Sequence, residues 1–347
     1  MIHLMFFTFR KVFRQLENGY RQYDEQYADA LLLFLMIKVC PIYKWKLILI
    51  ITVPKFTIKL LHIFLKGVSW MENIVVRNHV KIVGQGDQPI IFGHGFGCDQ
   101  NMWRYITPAF MDKYKIILFD YVGSGRSDKN AYISEKYKNL EGYMQDLLDI
   151  IESLKLQQSV FVGHSISSMI GLLASIKRPE YFKKLIMIGP SPCYLNDGEY
   201  IGGFERSDIS ELLEMMEMNF AGWASYMAPI AMSNPENPAL TDELKQTFKS
   251  ADPVIAREFA EVTFLSDHRN ELSQVTVPVL IIQCSEDSIV PISVGDYLHK
   301  HIKDSTFSLM EAKGHYPHIS HPNETIQCIM DFCREDNERI IVNGTTT

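Results

Sequence analysis

One short stretch constrains this chain more than any other. Ser159-Val160-Phe161-Val162 is an apolar, β-branched run. Gly163-His164-Ser165-Ile166-Ser167 follows without a break, and Met169-Ile170-Gly171-Leu172-Leu173-Ala174 then has the apolar density of a helix. A strand that turns into a helix around a central serine holds that serine in a strained conformation and lifts its hydroxyl clear of the sheet. Chance matches to the Gly-x-Ser-x-small pattern are common in chains this long, so the motif has weight only through this context. In context it predicts Ser165 as a nucleophile and acyl transfer as the reaction. It also demands partners, because a serine hydroxyl is a weak nucleophile until a base takes its proton.

The flanking sequence supplies the sheet that such a turn needs. Asn73–Val83 alternates like a half-buried strand and closes on Gly84-Gln85-Gly86, a turn signal. Pro89–Phe92, Lys115–Asp120, Lys184–Ile188, Pro278–Ile282 and Ser305–Met310 are short strand-like runs, most of them nearly continuous in apolar residues. Helical spacing marks Asn139–Leu156, through Leu140, Met144, Leu147, Ile151 and Leu154, and a final helix covers Asn323–Cys333. Strands that are apolar on both faces and alternate with helices predict an α/β fold with a mostly parallel sheet covered on both sides. Over about residues 199–269 the alternation stops. Asp208–Phe220, Trp223–Met232, Thr241–Ser250 and Pro253–Ser266 predict a helical cap above the strand ends, where ligands of such sheets bind.

In a fold of this type the nucleophile is followed along the chain by an acid and then a histidine. The acid belongs just past the strand that follows the cap, where Cys284-Ser285-Glu286-Asp287-Ser288 stands. Asp287 is the first choice and Glu286 the near alternative. The base belongs on a glycine-containing loop after the last strand, and Lys313-Gly314-His315-Tyr316-Pro317 fits, so His315 is expected there. Asp287 would hold the tautomer of His315 and stabilise the imidazolium. Two backbone N–H donors must meet the developing oxyanion. Ile166 supplies one and Phe96, in Gly93-His94-Gly95-Phe96-Gly97, the other; losing such a donor costs about a hundred- to thousand-fold in rate.

Other motifs carry plainer readings. Gly93-x-Gly95-x-Gly97 lacks the third-glycine spacing of a dinucleotide loop, and no cofactor is expected. His315, His318 and His321 are spaced by three, but Pro317 and Pro322 interrupt a shared helix face, so no metal is expected. Gly123–Ser127 reads as a turn after the Asp120 strand, and His164 as a packing residue beside the nucleophile.

Charge divides the chain. Residues 1–70 carry a net +6 and residues 71–347 a net −13, which sum to −7. An acidic main body excludes nucleic acid as the expected partner, since phosphate binding needs a basic surface. The first 70 residues are apolar and basic, with runs bounded by Lys, Asp or Pro that fall short of the roughly 18–20 residues of a spanning helix. They read as a dispensable upstream extension or as a membrane-associating segment with snorkelling lysines. Residues 71–347 are expected to be the complete functional unit. Cys40, Cys98, Cys193, Cys284, Cys328 and Cys333 include no Cys-x-x-Cys pair and read as reduced thiols of a cytoplasmic protein.

These residues resemble the α/β-hydrolase superfamily, and within it a narrower group. Gly95–Gln100, Ile117–Gly125, Phe161–Ser165, Gly189–Asp197 and Ser266–Arg269 resemble the RsbQ group, hydrolase-like positive regulators of the bacterial general stress response. The plant karrikin and strigolactone receptors belong to the same group. The resemblance covers nearly all of Met71 to Phe332 and none of the first 70 residues. It implies a small core domain, a four-helix V-shaped lid over an apolar pocket, the triad named above, a small apolar ligand and a PAS-domain serine phosphatase as partner. It departs at Ser167, where many hydrolases carry glycine, though the plant receptors also have serine. Phe96, Ile166, Cys193, Trp223, Met227, Phe264 and Ile289 are the pocket candidates; Trp223 and Phe264 serve equally well as glue between lid and core.

Two functions therefore stand side by side. One is a serine hydrolase of a small apolar ester or lactone used in signalling. The other is a ligand receptor whose output is a protein contact, with a membrane-associated esterase or lipase a more distant option that needs residues 1–70.

Overall fold

The computed structural model describes residues 73–343 of the chain, with side chains to residue 334. Expectations for residues 1–70, and for Cys40 among them, lie outside the described residues. The described residues form one compact unit.

Seven strands make a single sheet in the order β1-β3-β2-β4-β5-β6-β7. They are β1 Lys81–Val83, β2 Gln88–Gly93, β3 Tyr114–Leu118, β4 Ser159–His164, β5 Phe182–Ile188, β6 Val279–Glu286 and β7 Ser305–Lys313. β1 runs antiparallel to β3 and every other pairing is parallel. Side chains alternate across a strand, so an apolar run covered on both faces serves two cores. In β2 and β4, Ile90, Phe92, Val160 and Val162 join Trp103, Phe110, Ile329 and Phe332 on one side. Ile91 and Phe161 join Leu147, Ile151, Met169 and Ile170 on the other. The second side is covered by α1 (Leu140–Ser153) and α2 (Ile166–Lys177).

The cap consists of α3 (Arg206–Met218), α4 (Phe220–Met232), α5 (Pro238–Ser250) and α6 (Pro253–Leu265). Its helices are delimited locally. Glu205 and Asp208 form a capping box at α3, and Asn219 Oδ1 accepts from the Gly222 N–H at α4. Ser233 ends α4 in the left-handed region, and Asp252 caps α6 with Pro253 behind it. α4 packs on α3 and α5, and α3 on α6. α7 (Ile292–His301) and α8 (Pro322–Asn343) complete the unit.

Several boundaries differ from expectation. Residues 73–77 are helical and the strand is only Lys81–Val83. Ile74 and Asn78 are the buried positions, four apart, and the Asn78 N–H donates to the Ile74 carbonyl, so a helical period prevails over alternation. β3 stops at Leu118 because Asp120 is committed to a loop: its N–H donates to Asn78 O, and its carboxylate accepts from the N–H groups of Gln100 and Arg126. The last helix runs past Cys333 to Asn343. The 3-10 turns Gln100–Tyr105 and Thr107–Phe110, and helix α7, stand in stretches with no predicted element.

Parallel register is what assembles the site. Gly93 pairs with Gly163, His164 with Ile188, Ile188 with Ile282, and Glu286 with Lys313. The loops after β2, β4, β5, β6 and β7 therefore leave one edge of the sheet together.

Candidate active site

Ser165 sits at φ 54°, ψ −122°, outside the regions that an L-residue prefers. Such a conformation costs on the order of 1–3 kcal/mol and persists only when its surroundings enforce it. The enforcement is visible. The Ser165 N–H donates to Ile188 O at 2.8 Å, and its carbonyl accepts from the Ser168 N–H at 2.9 Å. Gly163 has no room for a side chain, since a Cβ would stand 2.7 Å from the Ser167 backbone. Ser167 is accommodated: it is fully buried, donates to His94 O, and accepts from the Tyr121 hydroxyl at 3.0 Å.

Ser165 Oγ lies 2.8 Å from His315 Nε2, and His315 Nδ1 lies 2.8 Å from Asp287 Oδ2. Asp287 Oδ1 accepts from the N–H groups of Ile289 and Val290 at 2.8 and 3.1 Å. That carboxylate is fully buried with both oxygens occupied, so it fixes the imidazole with Nδ1 protonated and the Nε2 lone pair facing the serine. Glu286, the alternative acid, points outward and pairs with Lys313. The His315 loop is held from two sides. Gly314, at φ +85°, donates its N–H to Glu286 O, and the His315 N–H donates to Ala231 O, in the last turn of cap helix α4.

Behind the row lies a nest of buried histidines. His164 Nε2 donates to the His315 carbonyl at 2.7 Å. His94 accepts from the Tyr121 N–H through Nε2 and donates to Gly95 O through Nδ1, bracing the glycine loop. Gly95 lies so close to the His164 ring that a Cβ would stand 2.4 Å from Nδ1. Burial, aided by neighbouring histidines, holds His164 well below its ordinary pKa. Burial and the nearby His315 bring His318 down to about 3. His318 packs against Trp103, and His321 Nδ1 meets Ser320 Oγ, so neither joins His315 in a ligand set. Among the described residues no acidic, histidine and cysteine cluster suits a metal ion.

The backbone N–H of Phe96 comes from the loop beside this nest, and that of Ile166 opens α2 without an intrahelical acceptor. Among the described residues no carbonyl accepts from either.

A cavity of about 30 Å³ adjoins Ser165 and His315. Phe96, Trp223, Met227, Phe264 and Ile289 line it, as expected. Two pocket candidates do not. Ile166 is buried in the core, and Cys193 turns its thiol toward Leu195 O. The next residue, Tyr194, faces the site instead, its hydroxyl 3.1 Å from Ser165 Oγ. Sequence reasoning chose the right loop and the wrong neighbour; alternation beyond a strand end leaves no spacing rule to follow. Leu212, Phe248, Thr263 and Tyr316 also line the wall, and among the lining residues Trp223 Nε1 and Thr263 Oγ1 are buried without a hydrogen-bond partner. The space is narrow, about the size of one or two waters. A roomier cavity, about 160 Å³, lies between the Gln100–Tyr105 turn and α5, away from the serine, and the Arg104–Glu243 ion pair joins two residues of its wall.

Residues 88–322 match the family model described as alpha/beta hydrolase fold, and the chain belongs to that family. It is 38% identical over 260 residues to a karrikin insensitive 2 receptor of Petunia hybrida, covering 75% of this chain and 96% of that protein. It is 40% identical over 256 residues to a strigolactone esterase of Arabidopsis thaliana, covering 74% and 96%. Among solved structures, a hydrolase from Oleispira antarctica matches with a TM-score of 0.74 and 39% identity, over 76% of this chain and 96% of that one. The chain is thus an α/β hydrolase related to plant receptors and esterases that carry those names. No helix of the described residues is long and apolar enough to cross a membrane.

Proposed function

We propose that the protein is a serine hydrolase of a small apolar ester or lactone, used in signalling, with Ser165 as nucleophile, His315 as general base and acid, and Asp287 as the group that orients it. The observation that carries this reading is the continuous hydrogen-bonded row from Ser165 Oγ through both ring nitrogens of His315 to Asp287. His315 takes the serine proton as Oγ attacks the acyl carbon and returns a proton to the leaving alcohol. The N–H groups of Phe96 and Ile166 meet the oxyanion. The wall of Phe96, Met227, Phe248 and Phe264 supports an apolar acyl group or ring of small size.

The experiment is direct. A fluorophosphonate probe labels Ser165 in the wild type and not in Ser165→Ala, and p-nitrophenyl acetate turnover is lost with the label. Wild-type protein that neither labels nor turns over sinks the reading.

A receptor reading draws on the narrow cavity beneath the cap and on relatives named as receptors. On it, ligand binding and cap displacement are the output and turnover is incidental. Ser165→Ala separates the two: a variant that still signals removes hydrolysis from the mechanism. The finer assignment, a cytoplasmic positive regulator of the general stress response acting on a PAS-domain serine phosphatase, rests on the motif resemblance of Gly95–Gln100 and Gly189–Asp197. Its test is activation of such a phosphatase by the purified protein and ligand. A chain beginning at Met71 that retains activity supports residues 71–347 as the functional unit.

A further inference from the structure

The Tyr194 hydroxyl touches the reacting oxygen, yet it lies outside the row of three. It stands 3.1 Å from Ser165 Oγ, on a buried residue that lines the cavity. Ser165 has a single proton, directed at His315 Nε2. Its Oγ is therefore the acceptor and the Tyr194 O–H the donor. Burial pushes the phenol pKa up, which keeps that proton in place.

We propose that Tyr194 is a catalytic residue of the second half-reaction, stabilising Ser165 Oγ as the leaving group when the acyl-enzyme is hydrolysed; this rests on the serine-hydrolase reading above. In the acyl-enzyme Oγ is the ester oxygen. Water attacks the acyl carbon, its proton passes to His315 Nε2, and the carbonyl electron pair moves onto the oxyanion. On collapse the carbonyl reforms, the C–Oγ bond breaks, its electron pair returns to Oγ, and His315 delivers the proton there. Negative charge builds on Oγ during that cleavage, and a hydrogen bond strengthens when its acceptor becomes charged. In the first half-reaction Oγ starts as a hydroxyl that already accepts this hydrogen bond, so the donor lowers the starting state along with the transition state. In the acyl-enzyme Oγ is an ester oxygen, a poor acceptor, so the gain falls mainly on deacylation, which a merely structural tyrosine would not produce.

The test is Tyr194→Phe in the full-length chain, followed by rapid-mixing kinetics with p-nitrophenyl acetate and intact mass of the quenched protein. The expected result is a burst of p-nitrophenol at close to the wild-type rate, a steady-state rate lowered about ten- to hundred-fold, and acetyl-enzyme accumulating on Ser165. An unchanged steady-state rate overturns the assignment. So does slowing of burst and steady state by one common factor, which marks a packing role. Wild-type protein that is acylated by neither p-nitrophenyl acetate nor a fluorophosphonate removes the hydrolase reading itself, an outcome separate from any behaviour of the variant.

Discussion

The sheet side and the cap side of the cavity are built to different standards. On the sheet side the polar atoms of the catalytic row have partners: Asp287 holds one imidazole and two backbone N–H groups, and Ser165 bonds both His315 and Tyr194. On the cap side Trp223 Nε1 and Thr263 Oγ1 are buried with none. A buried polar atom without a partner is destabilising. The contrast separates two tasks. On the proposed function the sheet side supplies the reacting groups, each already held by protein partners, whereas the cap wall presents two polar atoms to the cavity that no protein group satisfies. Substitutions on the sheet side should therefore alter rate for every substrate, and those on the cap should alter stability and selectivity.

The largest test is Asp287→Asn. Replacing the carboxylate reverses the preferred tautomer of His315, and turnover of p-nitrophenyl acetate should fall about ten-thousand-fold with little change in substrate affinity. A loss below tenfold would place Asp287 outside the chemistry and dissolve the contrast.

A second test uses pH. His164 and His318 are held neutral by burial, the latter down to about 3 against an ordinary value of 6.5. The unfolded chain binds those protons below pH 6.5 and the folded chain does not. For His318 that stability is therefore fully present above that pH and is lost as pH falls toward 3, by about 1.4 kcal/mol per pH unit, and His164 acts in the same direction. Chemical denaturation at a series of pH values should show this slope, and His318→Phe should flatten it. A variant with the wild-type slope contradicts the assignment of neutral charge.

The smallest effect belongs to the cap. Thr263→Val removes an unpartnered hydroxyl at nearly constant volume. Its Tm should rise by a few degrees, corresponding to about 1 kcal/mol, while kcat for p-nitrophenyl acetate stays within about twofold. A fall in Tm would mean that the hydroxyl has a partner and that the cap wall is as complete as the sheet side.

What was legible in the sequence follows the same division. Residues that must adopt a particular backbone state leave a mark in residue type: Gly163 beneath Ser167, Gly314 at positive φ, and the serine between strand and helix. Parallel register then brings the ends of β4, β6 and β7 to one edge, so Ser165, Asp287 and His315 could be chosen from order alone. Side-chain direction in an irregular loop leaves no such mark. Cys193 and Tyr194 are adjacent, equally apolar in context, and only the path of the chain after β5 decides which one faces the serine. Residues 73–77 failed for a related reason: a short amphipathic run fits either period until Ile74 and Asn78 find their neighbours. The inward direction of Ile166 was likewise set by tertiary packing, here of α2 against the sheet.

Among the hydrogen bonds that join cap to core, one falls at the base itself. The His315 N–H is held by Ala231 O, near the end of α4, and the Met232 carbonyl abuts Gly314. A cap that swings aside must therefore either release the backbone of the catalytic imidazole or carry it along. On the proposed function, movement of the cap and placement of the base are thereby tied together through a single carbonyl.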